Sequence, residues 1–318
     1  MGIKIVVNGY FRSGTSFLWQ FLKGSLPKDY VCLYEPLQLK ISTAIQREKN
    51  EKTKDPLIKE FLWQEYINLG EYELLRVLRN HPSSTNDGIM NEKALESYFD
   101  RIDKLYPNIL LQPNRLHFFL DLFKQRYNSK IIHIIRNPLD VYLSIINVDR
   151  TIYENTGKQN KIKYYFSKTI KTIYPQIRSK LGEFEVDKDL LWIKRHIGLP
   201  YLQEYSWRLK FFSFQSYFEK MIIVWILTNY YAIKTINQEK GYLLVYEELI
   251  TKPNKVTKDL EKYLEIKINT PPNVKKGNYN KFEKNMIQKM MKVVTKNKLE
   301  KEFQFILDEV RTRGINYI

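Results

Sequence analysis

Two short segments hold residue types whose spacing suits the handling of anionic groups. The first is Gly9-Tyr10-Phe11-Arg12-Ser13-Gly14-Thr15-Ser16. It follows an apolar β-branched run, Ile3–Asn8, and precedes an apolar helical pattern, Thr15 to Leu26. A strand–turn–helix of this kind points unpaired backbone N–H groups and the positive end of a helix dipole at one spot, which is an anion site. Gly9 and Gly14 keep the spacing of a Walker A loop, but Thr15 stands where ATP and GTP enzymes place the lysine that reaches the β- and γ-phosphates. Its absence argues against a kinase. A cation is supplied within the loop by Arg12, and Ser13, Thr15 and Ser16 add hydroxyl donors.

The second segment runs from Ile131 to Ser144. An apolar strand, Lys130–Ile135, delivers Arg136 to its C-terminal end, the edge at which α/β sheets bind ligands. Pro138 opens a helix, and Ser144 follows on it. Arginine can fork onto a phosphate and serine can add a donor. Asp140 reads as a first-turn helix carboxylate.

The elements that must carry these residues alternate along the chain. Strands are expected at Ile3–Asn8, Tyr30–Tyr34, Ile109–Gln112, Lys130–Ile135 and Gly241–Tyr246. Helices are expected at Thr15–Leu26, Asp55–Asn80, Asn91–Tyr106 and Leu116–Tyr127, and after Pro138 and Pro253. This alternation predicts a parallel sheet of about five strands covered by helices on both faces. The stretch 149–205 is polar, basic and aromatic, and reads as an insertion or lid within a single domain covering 1–318. The run Met221–Ile233 is too short for a span, which needs about 20 apolar residues, and reads as a buried helix.

Composition narrows the class. The chain has 318 residues, 43% of them hydrophobic, so it can build a core without staples and is not a disordered chain. Cys32 is the single cysteine, which excludes an intrachain disulfide framework and any Cys-based metal cluster. The formal net charge of +17 favours anionic ligands: nucleic acid, anionic lipid, sulfated or phosphorylated glycan, or a nucleotide. No helix-turn-helix, zinc-finger or aromatic RNA-binding signature accompanies the charge, so a nucleic-acid partner is not expected. A signal peptide and a membrane span are also not expected, and the single thiol suits a reducing, cytoplasmic setting.

Together the two segments resemble the paired nucleotide signatures of sulfotransferases that use 3′-phosphoadenosine-5′-phosphosulfate (PAPS). Arg12-Ser13-Gly14-Thr15-Ser16 is similar to the 5′-phosphosulfate loop, and Arg136 through Ser144 to the 3′-phosphate motif with its Asn-Pro-x-Asp-Val core. Tyr246-Glu247-Glu248-Leu249 resembles the family's Tyr-Glu-Asp-Leu strand end, and Lys275-Lys276-Gly277 its late loop over the nucleotide. Arg12, where the cytosolic small-molecule branch has lysine, and Tyr34-Glu35-Pro36-Leu37 lean toward the carbohydrate and protein-tyrosine branches.

The resemblance implies a P-loop-type fold and metal-independent sulfuryl transfer from PAPS to a hydroxyl or amine, with a carbohydrate or other acidic molecule as acceptor. It implies Arg12 as the residue that holds charge on the leaving oxygen, with Glu35 or His117 as the base. Arg115 reads as a substrate or phosphate contact, and His133 as a core histidine. A P-loop kinase and a basic nucleic-acid-binding protein stand as the alternatives. The aromatic stretch Tyr201–Tyr231 reads first as core, with stacking on a sugar as the second reading. The lysines at 161, 163, 168 and 171 read as a solvated face that could attract an acidic acceptor.

Overall fold

The structure is a computed structural model, and it describes residues 2–38, 41–51, 61–79, 81–82, 92–114, 116–155, 216–268 and 284–318. Five parallel strands form one sheet in the order β2-β3-β1-β4-β5. They are β1 (Ile3–Gly9), β2 (Val31–Tyr34), β3 (Ile109–Gln112), β4 (Lys130–Ile135) and β5 (Tyr242–Val245). Central β1 pairs with β3 on one side, Val6 opposite Leu111, and with β4 on the other, Gly9 opposite Ile134. In β1 only Lys4 is exposed, and β3 and β5 are buried throughout. Such two-sided burial explains why these strands read as continuous apolar runs rather than alternating ones.

The described helices are, in chain order, α1 (Thr15–Ser25), α2 (Ile41–Glu51), α3 (Gln64–Ile67), α4 (Glu71–Leu78), α5 (Glu92–Asp103), α6 (Leu120–Tyr127), α7 (Pro138–Asn155), α8 (Tyr217–Gln238), α9 (Tyr246–Thr251), α10 (Pro253–Leu264), α11 (Lys284–Lys296) and α12 (Glu300–Thr312). The all-parallel α/β fold is the one the strand–helix rhythm predicts.

The departures are local. The single helix expected over Asp55–Asn80 is broken in its described part into α3 and α4, because Gly70 takes φ +76 between them. Tyr246 opens α9 instead of ending β5. The helix expected from Leu116 starts at Leu120, so His117 sits in the turn before it. Residues 149–155 continue α7, and the rest of the expected insertion, together with the lysines at 161–171, lies outside the described residues.

The chain falls into two compact units. One comprises Met1–Arg136, Thr228–Asn280 and Phe305–Tyr317, and it holds the whole sheet. Its core is lined by the strand side chains with Leu18, Trp19 and Leu22 of α1, Phe99 of α5 and Phe123 of α6. The other comprises Asn137–Leu227 and Lys281–Gln304 with Ile318. Within it, Trp225 of α8 meets Phe303 of α12 edge-on at 6.4 Å, and Tyr142 of α7 meets Phe218 at 4.9 Å. Residues Met221–Leu227 of α8 are buried, as expected for a core helix. Among the described residues no helix is long and apolar enough to cross a membrane.

Candidate active site

Strand order decides where a ligand can sit. The chain leaves β1 for β2 and β3 on one side, and β4 takes the other side, so the crevice beyond the C-terminal end of β1 is the topological switch point. The loop from Tyr10 to Gly14 occupies that point. Ser13 N–H returns to the Tyr10 carbonyl at 3.0 Å, a tight turn with Arg12 at φ +65. A left-handed arginine is a strained backbone held by its surroundings. Gly14 caps α1 at φ +97, with no side-chain cap, so the first-turn amides of α1 have no intrahelical acceptor. Ser13 is fully buried, and its Oγ has no hydrogen-bond partner. A buried hydroxyl of that kind is costly unless a ligand satisfies it. Arg12 itself is half-buried.

Three segments far apart in sequence meet on this loop. The Arg136 guanidinium lies over the Tyr246 ring at 4.5 Å from its centroid. Its Nη1 donates a long hydrogen bond, 3.4 Å, to the Arg12 carbonyl. The same ring presses on Gly14: a Cβ there would lie 2.5 Å from Tyr246 Cδ2. At the foot of the loop, a Cβ on Gly9 would lie 2.6 Å from the Ile134 side chain and 2.7 Å from its carbonyl. Both glycines are therefore required by close packing, and Gly14 by its dihedral as well.

The end of β2 is tied to the same place. Ser16 Oγ and Tyr34 Oη share a hydrogen bond of 2.7 Å. Tyr34 is wedged edge-on between Trp19 at 5.1 Å and Trp63 at 5.7 Å. Glu35 follows at φ +37. Its carboxylate Oε1 accepts from Asn114 Nδ2 at 2.7 Å. The Pro36 carbonyl accepts from Tyr98 Oη at 2.8 Å and lies 2.8 Å from His81 Nε2.

His117 belongs to a different cluster. It is 4% exposed, and its Nδ1 lies 3.2 Å from Asn8 Nδ2. The other proton of that amide faces His133 Nδ1 at 3.1 Å, and His133 Nε2 faces Asn229 Oδ1 at 3.0 Å. Asn8 Oδ1 accepts the Leu116 N–H at 3.2 Å, which fixes the amide with its NH2 toward both rings. Each ring must then accept at Nδ1 and carry its proton on Nε2. Burial holds His133 down to about 4, so it is neutral at ordinary pH, as a core histidine should be.

Of the residues singled out from the sequence, the structure brings together Arg12, Ser13, Gly14, Thr15, Ser16, Arg136 and Tyr246. Glu35 is joined to them through Tyr34 and Ser16. His117 is buried behind the loop, its ring 6.4 Å from that of Tyr10. Ser144 is half-buried on α7, in the other unit. Arg115 and Lys275, Lys276 and Gly277 lie outside the described residues. Sequence reasoning missed Tyr34, Gln112 and Asn114. The available signal was a polar Gln112 closing the otherwise apolar strand Ile109–Leu111. Among the described residues no group of three or more His, Cys, Asp or Glu side chains could hold a metal ion.

A strand-end loop of this form, with Arg12 inside it, Thr15 at the Walker lysine position and Arg136 after β4 beside it, makes a site suited to an anion in an α/β fold. The family follows from the sequence match. The Sulfotransferase domain family matches residues 3–315, so the chain belongs to it. An uncharacterized protein of Archaeoglobus fulgidus is 31% identical over 265 residues, 80% of this chain and 81% of that protein. Among solved structures, a sulfotransferase from Alicyclobacillus acidocaldarius is similar at 12% identity, with 93% of both chains covered and a TM-score of 0.43. A sulfotransferase domain from the curacin biosynthetic pathway is similar at 15% identity, covering 85% of this chain and 76% of that one, with a TM-score of 0.38.

Proposed function

We propose that the chain transfers a sulfuryl group from PAPS to a hydroxyl, with a carbohydrate as the acceptor class. The observation that carries the reading is the meeting of Arg136, Tyr246 and Gly14 on the β1–α1 loop, because it joins the two nucleotide signatures with the Tyr-Glu-Glu-Leu strand end. The residues present suit an anionic donor. The unpartnered Ser13 hydroxyl, the uncapped first turn of α1 and the Arg12 side chain are all donors. Lysine is not needed at Thr15, because the donor has no γ-phosphate.

In this reading Ser13, Gly14, Thr15 and Ser16 hold the 5′-phosphosulfate, while Arg136 and Ser144 hold the 3′-phosphate. Tyr246 sets the plane of Arg136, and Lys275, Lys276 and Gly277 cover the nucleotide. When bound, PAPS supplies an activated sulfuryl group. Glu35 takes the proton of the acceptor hydroxyl as the new oxygen–sulfur bond forms. The Arg12 guanidinium stabilises the charge that grows on the departing phosphate oxygen. Glu35 suits the base better than His117. The Asn8 amide already fills Nδ1 of His117 and keeps the proton on Nε2, so that ring offers a donor rather than an acceptor. The carbohydrate assignment rests on the resemblance of Tyr34-Glu35-Pro36-Leu37 to that branch.

The test is transfer of radiolabel from 35S-PAPS to a panel of oligosaccharides, phenols and amines in excess chelator. Labelled oligosaccharide is the expected product. Label reaching only phenols or amines removes the carbohydrate assignment, and activity restored only by magnesium and ATP favours a kinase.

A further inference from the structure

Glu35 and Asn114 both hold left-handed backbone, at φ +37 and +54, although neither is glycine. Such residues persist where the surroundings over-determine them, and here the surroundings are each other. Their side chains and Gln112 close a hydrogen-bonded ring across the ends of β2 and β3. Glu35 N–H donates to the Gln112 carbonyl at 2.8 Å and to Gln112 Oε1 at 3.3 Å. Gln112 Nε2 donates to Asn114 Oδ1 at 2.6 Å, and Asn114 Nδ2 donates to Glu35 Oε1 at 2.7 Å. Gln112 is fully buried.

The direction of this ring has one solution. A backbone N–H can only donate, so Gln112 must turn its oxygen to Glu35 N–H and its NH2 to Asn114. Asn114 must then accept with Oδ1 and donate with Nδ2. Glu35 Oε1 is thereby an obligate acceptor, and any proton the carboxyl takes sits on Oε2. Reversing Gln112 sets donor against donor at Glu35 N–H, and reversing Asn114 sets donor against donor at Gln112 Nε2.

We propose that Gln112 and Asn114 are positioning residues for Glu35, which hold its carboxylate in one orientation with Oε1 kept as an acceptor and any proton directed to Oε2. The proposal rests on the reading of Glu35 as the base. It assigns Gln112 and Asn114 a task no motif announces: they fix which oxygen is occupied and stop the carboxyl from turning over as the acceptor arrives. Fixing a reacting group within a fraction of an ångström is a large part of a catalytic barrier. Gln112 is the last residue of β3 and Asn114 lies two residues beyond it, so the sheet itself supplies the rigidity. Tyr98 and His81 brace the next residue through the Pro36 carbonyl, and Tyr66 Oη braces the one before through the Tyr34 carbonyl at 3.2 Å.

The experiment has two arms. In the first, protein labelled with 15N-asparagine is titrated with acid, and the Asn114 side-chain amide is followed by NMR. Its resonance is expected to move with a carboxyl titration in the wild type and to lose that movement in Glu35→Gln. An amide that does not respond, or responds equally in Glu35→Gln, overturns the proposal. In the second arm, Asn114→Gly removes the side chain while keeping a residue at ease with φ +54. Turnover is read as release of adenosine-3′,5′-bisphosphate from PAPS with an oligosaccharide acceptor, whose hydroxyls are weakly acidic and depend on base assistance. A loss of about 10- to 100-fold in kcat is expected, the usual effect of a hydrogen bond to a charged group. Affinity for adenosine-3′,5′-bisphosphate should be unchanged. Wild-type kcat in Asn114→Gly with an inactive Glu35→Gln overturns the positioning role alone. Wild-type kcat in Glu35→Gln overturns the base itself.

Discussion

The Arg136 guanidinium rests on the face of Tyr246, 4.5 Å from the ring centroid, so the end of β4 and the end of β5 present one surface to the β1–α1 loop. Stacking of this kind fixes the plane of a guanidinium whose forked donors must match a phosphate. The aromatic face is what matters, not the phenol. Tyr246→Phe should therefore bind adenosine-3′,5′-bisphosphate within about twofold of wild type, whereas Tyr246→Ala should weaken it about tenfold, the usual worth of such a contact. Calorimetric titration checks both. Equal weakening by the two variants would show that the ring face is not the relevant feature.

Gly14 is expected to tolerate nothing larger. A methyl group there meets the Tyr246 ring at 2.5 Å and forces φ +97 on a residue with a Cβ. Gly14→Ala should lose about 1–3 kcal/mol from the backbone alone and more from the displaced ring. Thermal unfolding measures the first part. Nucleotide affinity measures the second, because moving Tyr246 moves Arg136. A variant with unchanged melting temperature and affinity would contradict the packing described.

Much of this was legible in the sequence, and for identifiable reasons. Strands buried on both faces show as apolar runs such as Lys130–Ile135, and the strand-to-helix turn at Gly9–Ser16 has a spacing that few other structures need. Arg136 could be placed because it directly ends a strand. The contacts that assemble the site could not be read. Tyr34 reaches Ser16, and Gln112 and Asn114 reach Glu35, only because β2 and β3 are neighbours in a sheet whose order is not the chain order. His117 sat by sequence near the third strand end, but the turn that precedes α6 buries it against Asn8. The end of α4 and the break at Gly70 were hidden by a helical pattern that runs on either side.

Burial of His133 makes stability depend on pH. Its folded value, about 4, lies below the ordinary 6.5, so the unfolded chain takes up a proton that the folded chain refuses. Stability is full above 6.5 and falls as the pH drops from 6.5 toward 4, by about 3 kcal/mol over the window. His133→Gln can still accept from Asn8 and donate to Asn229 but does not titrate. Urea unfolding at neutral and acidic pH should show a smaller drop for His133→Gln than for wild type. Equal drops would place the titration elsewhere.

Arg12 and Glu35 should separate cleanly in kinetics. Charge grows on the departing oxygen only as the transition state forms, so Arg12→Ala should lower kcat by about 10²–10³ with a smaller effect on PAPS affinity. Glu35→Gln keeps size and loses the ability to take a proton. It should lose turnover, leave nucleotide affinity intact, and recover part of the loss with acceptors whose hydroxyl is already acidic. A loss that is the same across acceptors of graded acidity would remove the base assignment and make His117 the residue to test.

The central claim is that this loop and Arg136 form a site for a nucleotide carrying a 3′-phosphate. Titration of the protein with adenosine-3′,5′-bisphosphate and with adenosine-5′-phosphate, in chelator, tests it most directly, with Arg136→Ala alongside. The account predicts that the 3′-phosphate tightens binding to the wild type by at least tenfold and that Arg136→Ala abolishes most of this difference while leaving adenosine-5′-phosphate nearly unaffected. Equal affinity of the wild type for the two nucleotides, or binding that appears only with ATP and magnesium, would contradict it.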